Sequence, residues 1–318
     1  MIKHGLLICS FQAKKKYSVG EKELYNLNNQ YSYDEYTYSD IFEMMKLFME
    51  NYQDYYDDEK LMKMFAISQE SIQFEDKNTY SIMSCIVLSG AYGIESKMTN
   101  KNTKEVVYTR TKEDADIKQF QMLIYVPKDV NGKSVSKGIV IFETIGNFGV
   151  KTITIQNMKQ YFSEKFGLTL FTRSVSVRIF IEKLLKEGKL SRLTLINNKL
   201  SVDASDSMFL NSGREEKAYI KPRLKDGWIK KILNYIDGNL SNNDIFEIDD
   251  VTYDDIKLTF SHTGHTRTVS IMDLDSFSIV EDAPESIYPN GDVNRDKMKE
   301  HMEKVAQDYA SKMIFSIE

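Results

Sequence analysis

Apolar residues fall in short blocks along this chain of 318 residues, and their spacing switches between strand-like and helix-like periods. Residues 5–12 read as a strand. Ile41, Met44, Met45, Leu47 and Phe48 share one helical face, with Ser39 or Asp40 placed to cap it. A second helix is expected from Asp57 to about Ala66. From Thr79 the texture changes, and Tyr80–Tyr92, Val106–Tyr108 and Phe120–Val126 read as strands, the last stopped by Pro127. Asn131-Gly132 is a turn signal leading into Gly138–Glu143, which favours antiparallel pairing of the strands on either side.

Ile155–Phe166 follows as a helix closed by Gly167, with Met158, Tyr161, Phe162 and Phe166 on one side. Leu168–Arg173 is a strand, Arg178–Lys186 a helix closed near Gly188, and Leu190–Ile196 an alternating strand. A polar break covers Asn197–Gly213. Beyond it come a helix at Trp228–Ile236, strands at Ile256–Ser261 and Thr266–Met272 with a hairpin at Thr263-Gly264, and a terminal helix at Arg295–Met313. Mixed connections with antiparallel signals predict an α+β fold. It has a mixed, partly antiparallel sheet with packed helices, plus a smaller C-terminal α+β region. The expected domains are 1–205, which holds an acidic tyrosine-rich helical segment, and 206–318, which ends in an amphipathic helix.

Charge divides the chain differently. Residues 137–233 carry 18 basic and 9 acidic side chains, whereas residues 234–318 carry 7 basic and 18 acidic. Residues 21–60 hold 11 acidic and 3 basic residues among many tyrosines. A basic middle between acidic ends marks where an anionic partner would land. The two cysteines, Cys9 and Cys85, sit inside apolar strands, as expected of reduced core thiols rather than a disulfide framework. No run of about 18 apolar residues appears, so no membrane span is expected, and the cytoplasm is the expected address. Abundant Lys, Ile, Asn and Tyr suggest AT-rich coding, as in a low-GC bacterium or one of its viruses.

Four motifs are candidates for chemistry. Gly146-Asn147-Phe148-Gly149-Val150-Lys151-Thr152 links a strand to a helix, the context of a phosphate loop, but its spacing is not G-x-x-x-x-G-K-[ST]. Asp76, Glu95 and Lys97 are the candidates for metal-dependent nuclease chemistry, in which carboxylates hold Mg²⁺ and a lysine sits near the attacking water. The [DE]-x-K pattern recurs too often along the chain to mark a site by itself. His262 and His265 are the one close histidine pair, a candidate metal site with Asp254, Asp255, Asp273 and Asp275 nearby in sequence. Those acids would also raise the histidine pKa values. No serine or cysteine nucleophile has a recognisable setting.

The broadest candidate is the basic middle. Arg173, Arg178, Lys183, Lys186, Lys189 and Arg192 form one group. Lys217, Lys221, Arg223, Lys225, Lys230 and Lys231, with Tyr219 and Trp228 interleaved, form another, and Lys151 in the 146–152 segment is a further candidate phosphate contact. Cations neutralise phosphates and an aromatic ring stacks on an exposed base, although a net charge of −5 is unusual for a dedicated nucleic-acid binder. The expectation is therefore a soluble bacterial or phage-related protein that binds DNA, RNA or an acidic partner through this region, in antiviral defence or mobile-element biology. Its acidic termini would serve a protein partner or a second copy. A divergent metal-dependent nuclease or phosphate-handling enzyme, and a non-catalytic subunit of a larger complex, are the alternatives. The sequence names no cofactor.

Overall fold

The long apolar runs of the N-terminal half become strands buried on both faces, and this sets the layering of everything around them. The computed structural model describes residues 2–15, 24–128, 134–198, 214–236, 240, 245–248, 251–262, 265–273 and 280–311. The protein is α+β and mostly sheet, with a curled half-barrel. It divides into two units, Met1–Thr172 with Val280–Glu318, and Arg173–Ile279.

The first unit runs β1 (His4–Lys15), β2 (Tyr31–Tyr33), β3 (Tyr36–Tyr38), α1 (Ile41–Asn51), β4 (Tyr56–Asp58), β5 (Lys63–Asp76) and β6 (Tyr80–Ala91). Next come β7 (Ser96–Thr99), β8 (Val106–Arg110), β9 (Lys118–Pro127), β10 (Gly138–Ile145), β11 (Phe148–Gly149), α2 (Lys151–Lys165) and β12 (Leu168–Ser174). The second unit holds α3 (Val175–Lys186), β13 (Leu190–Asn197), β14 (Glu215–Ile220), α4 (Asp226–Ile236), β15 (Glu247–Ile248), β16 (Val251–Thr252), β17 (Asp255–His262) and β18 (His265–Ser270). The chain then returns to the first unit through β19 (Glu281–Asp282) and α5 (Arg295–Ala310).

The main sheet has the order β12-β1-β10-β9-β6-β5-β4, with β11 added to β10 and β19 to β1. β10 lies antiparallel to both β1 and β9, and β6 to both β9 and β5. The expected antiparallel pairing of β9 with β10 is present, although Asn131-Gly132 lies outside the described residues. Alternate residues of the central strands face opposite layers. Cys9, Phe11, Met122, Ile124, Val140 and Phe142 point to a core closed by α1 and α2, where Met44, Met45, Phe48, Met158 and Phe162 are buried. On the other side α5 packs against β9 and β10, burying Met298, Met302, Ala306 and Tyr309. Cys9 and Cys85 are both buried, and burial pushes the Cys85 thiol up.

Local chemistry sets the helix ends. The Asp40 carboxylate accepts hydrogen bonds from the Phe42 and Glu43 amides at 2.8 and 3.0 Å, and Glu43 Oε2 accepts one from the Ser39 amide at 2.6 Å. This reciprocal arrangement starts α1 where the sequence pattern places it. Gly167 closes α2 with φ +61, and a Cβ there would meet the Tyr33 ring at 2.3 Å, so no other residue fits without movement.

The expected helix from Asp57 to Ala66 is instead a hairpin. Asp58 Oδ1 accepts a hydrogen bond from the Leu61 amide at 3.0 Å, Met62 takes φ +50, and Lys63 begins a long strand paired with β6. Its helix-forming residues are overruled because pairing with β6 supplies a whole ladder of hydrogen bonds and buries Phe65 and Ile67. The expected boundary at 205/206 falls outside the described residues. The observed units instead exchange at 172/173 and 279/280, because α5 packs on the N-terminal sheet.

That packing is tied to one buried carboxylate. Glu143 on β10 is fully buried. Its Oε1 lies 2.7 Å from His4 Nδ1, and its Oε2 accepts from the Gln121 amide at 2.7 Å and from Arg295 Nη1 at 2.5 Å. Arg295 also donates to the Gln119 carbonyl at 3.0 Å. Farther along α5, Lys299 reaches Gln73 and Glu75, and Glu303 meets Lys77 and Tyr80. Removing one partner from a buried ion pair strands the other charge, at a cost of roughly 3–5 kcal/mol when burial is complete. Arg295→Ala is therefore expected to lower stability by about 3 kcal/mol in a denaturant titration. Lys3→Ala, which breaks an ion pair with both partners mostly exposed, is expected to leave the midpoint unchanged.

Candidate nucleic-acid interface

The second unit is a four-stranded antiparallel sheet of order β14-β13-β17-β18. Leu193 and Leu195 of β13, Ile256, Leu258 and Phe260 of β17, and Val269 face one side and pack with Ile181, Leu184 and Leu185 of α3 and Ile232, Leu233 and Ile236 of α4. Arg192, Thr194 and Ile196 therefore face the opposite side of the sheet. β14 is an edge strand, and all six of its residues are exposed.

Register carries the basic residues together. Arg192 stands opposite Ile220, and the next residue, Lys221, donates its amide to the Ser191 carbonyl at 2.8 Å. Lys221 takes φ +47 and turns the chain off the sheet edge. Arg223 and Lys225 lie on the short crossing to α4, whose start is marked by the Lys225 carbonyl accepting from the Trp228 and Ile229 amides. α4 buries Ile232, Leu233 and Ile236, which leaves Lys230 exposed. Trp228 packs half-buried against the core, with Lys231 Nζ 5.5 Å from its ring centroid, and Lys217 Nζ lies 5.7 Å from the Tyr219 ring.

The predicted cations separate into two populations. On α3, Glu182 bridges Arg178 and Lys186, the latter at 2.6 Å, and the hydrogen bond from Lys186 leads in holding the Glu182 carboxyl below its usual range. Arg214 pairs with Glu216. Arg192, Lys221, Arg223, Lys225 and Lys230 make no ion pair among the described residues, and all five are exposed. Lys183 is likewise exposed on α3. Arg173 lies near the end of β12. Lys151 opens α2 in the first unit, so neither unit by itself joins it to this cluster.

The other candidates are arranged differently from the sequence expectation. Asp76 stands opposite Ser81 at the start of β6, whereas Glu95 and Lys97 lie beyond the far end of that strand at Ala91. Ten strand residues span about 33 Å, whereas ligands of one Mg²⁺ lie about 2.1 Å from the ion, so these three do not form one site. Asp76 instead closes the β5–β6 turn, 2.5 Å from Ser81 Oγ and 2.8 Å from Lys128 Nζ, and Lys128 lowers its pKa.

Gly146 takes φ +58, and β11 folds back on β10 with Gly149 opposite Thr144. His262 and His265 do oppose each other at the tip of the β17–β18 hairpin; Thr263-Gly264 lies outside the described residues. Asp254 and Asp255 sit at the other end of β17, about 23 Å away along seven residues. There Asp254 accepts from the Asn198 amide, and Asp255 accepts from Ser270 Oγ and the Met272 amide. Among the described residues, no group of three or more His, Cys, Asp or Glu side chains is arranged to hold a metal.

The acidic tyrosine tract is partly core. Tyr25, Tyr31, Tyr38 and Tyr52 are buried, and burial pushes Tyr52 up to about 12. Two features were not anticipated from sequence: the pairing of β7 with β8, and the His4–Glu143–Arg295 network. The signal for the second was a lone glutamate inside the apolar run Gly138–Ile145.

The sequence matches no protein-family model and no curated protein. Among the described residues, no helix is long and apolar enough to cross a membrane.

Because the folded Glu182 carboxyl has a lowered pKa, its contribution is present above the unfolded value near pH 4.3 and is lost as pH falls through the folded one. Glu182→Gln is expected to reduce stability at pH 7 and to flatten the acid limb of the second unit's pH–stability curve. The emission of Trp228, the single tryptophan, follows this in denaturant titrations between pH 7 and pH 3.

Proposed function

We propose that the second unit binds nucleic acid through Arg192, Lys221, Arg223, Lys225 and Lys230, with Lys231 and Trp228 beside them. The observation that carries this reading is the set of five exposed cations that make no ion pair among the described residues, along β13, the crossing from β14 and α4. Surface lysines of a protein with a net charge of −5 have acidic partners to draw on, and several in the first unit use them, as Lys77, Lys128 and Lys299 do. Unneutralised cations grouped on one path hold counterion-releasing contacts for phosphates. Trp228 adds a ring for stacking on an unpaired base, and Tyr219, 42% exposed on the adjoining edge strand, adds a second.

The test is fluorescence anisotropy with labelled single- and double-stranded oligonucleotides across a salt series. Five phosphate contacts on a single strand predict a log–log salt slope of about −3.5, or a loss of roughly a hundredfold between 50 and 200 mM salt. Lys221→Glu combined with Arg223→Glu is expected to weaken binding by at least about tenfold and to make the slope shallower. Unchanged affinity in that double variant would remove the assignment of this surface.

A further inference from the structure

We propose that the β7–β8 ribbon of the first unit enters a groove of duplex nucleic acid. The choice of ligand rests on the reading of the second unit as a nucleic-acid binder; the surface itself is separate from it. Every residue from Ile94 to Thr109 is exposed, so this two-stranded ribbon meets solvent on both faces. Isolated hairpins of this kind are marginal in water, and this one is held firmly at its foot. Arg110 donates Nε to the Asp114 carbonyl at 2.8 Å and a guanidinium N–H to the Ala91 carbonyl. The Gly93 amide donates to the Lys112 carbonyl at 2.7 Å, and Asp114 accepts from the Thr111 amide at 2.7 Å.

The tip is equally ordered. Asn100 Oδ1 accepts from the Asn102 and Thr103 amides at 2.8 and 3.2 Å, and Lys104 takes φ +63 while its amide donates to the Asn100 carbonyl. A connection between two core strands needs neither this rigidity nor the side chains it displays. Met98, Val106, Val107 and Tyr108 are between 48% and 65% exposed along the stem. Such residues are costly on a free hairpin and useful on one that becomes covered.

Charge and chemistry select the occupant. Ser96–Arg110 holds four basic residues and one acidic, and Lys97, Lys101 and Lys104 make no ion pair among the described residues. The tip, Thr99-Asn100-Lys101-Asn102-Thr103-Lys104, consists wholly of residue types that bond phosphates or base edges. A major groove about 12 Å wide admits a two-stranded ribbon, and its thymine methyls take apolar contacts. The acidic foot, where Tyr92 donates to Asp57 at 2.7 Å, repels phosphates. The tip stands roughly 20 Å beyond it by strand rise, past a Debye length of about 8 Å.

The experiment compares full-length wild type, Lys101→Ala with Lys104→Gly, and Lys221→Glu with Arg223→Glu, on a labelled 20-base-pair DNA duplex and on its single strand at fixed salt. Glycine at 104 suits the positive φ, and circular dichroism checks the fold. The ribbon variant is expected to lose about tenfold affinity for the duplex and less than about twofold for the single strand. That result with an unaffected Lys221/Arg223 variant would uphold the ribbon and overturn the second-unit surface. An unchanged ribbon variant beside a weakened Lys221/Arg223 variant overturns the ribbon alone. No binding by wild type overturns both. A wild-type dimer that the ribbon variant converts to monomer in sedimentation, with duplex affinity intact, makes the ribbon a contact between copies and overturns the proposal.

Discussion

A fully buried carboxylate is the constraint on which the first unit depends. Glu143 sits where water does not reach, so its oxygens must be satisfied by protein groups or the fold loses several kcal/mol. Its partners come from three distant stretches: His4 at the start of the first strand, the Gln121 amide of a neighbouring strand, and Arg295 at the start of the last helix. The Tyr288 ring lies 4.7 Å from that of His4 and comes from the segment leading into the same helix. The carboxylate is matched only when the sheet has formed and the C-terminal segment has come back to it.

This closure explains the division of the chain. The first unit is completed by residues that follow the second unit in sequence. The second unit is thus an insertion between β12 and β19, with its own sheet and its own buried cluster. The ion pairs of α5 with Glu75 and Lys77 add to the same docking, and they consume cations that would otherwise face solvent.

The fate of the positive charges is what distinguishes the surfaces. In the first unit, Lys128 closes a turn and Lys77 and Lys299 dock the last helix. In the second, Glu182 neutralises part of α3, while the path from Arg192 through Lys221 to Lys230 meets no acidic partner among the described residues. The ribbon from Ser96 to Arg110 is a separate place where lysines make no ion pair among the described residues, with exposed apolar side chains between them. The Asp76 carboxylate closes the β5–β6 turn, and Asp255, at the start of β17, accepts from Ser270 Oγ and the Met272 amide.

Local signals decided much of this architecture before any packing. Periodicity located β1, β6, β9, β10, β13 and all five helices described, because their apolar spacing reports which face meets a core. Asp40 and Gly167 marked helix ends through hydrogen bonding and backbone freedom that belong to single residues. The basic path was visible as a run of Lys and Arg around Trp228. Other outcomes depended on partners far away in sequence. Residues 57–66 have the composition of a helix and became strands because β6 offered a ladder. Asp76 and Glu95 were candidates for one site and are separated by the length of β6. Which lysines stay unpaired was decided by where Glu182, Glu75 and Glu303 came to rest. Sequence determines the faces that elements present, since periodicity is a local property of the backbone. Only the tertiary structure decides which charges meet, because an ion pair depends on distance in space and not on separation along the chain.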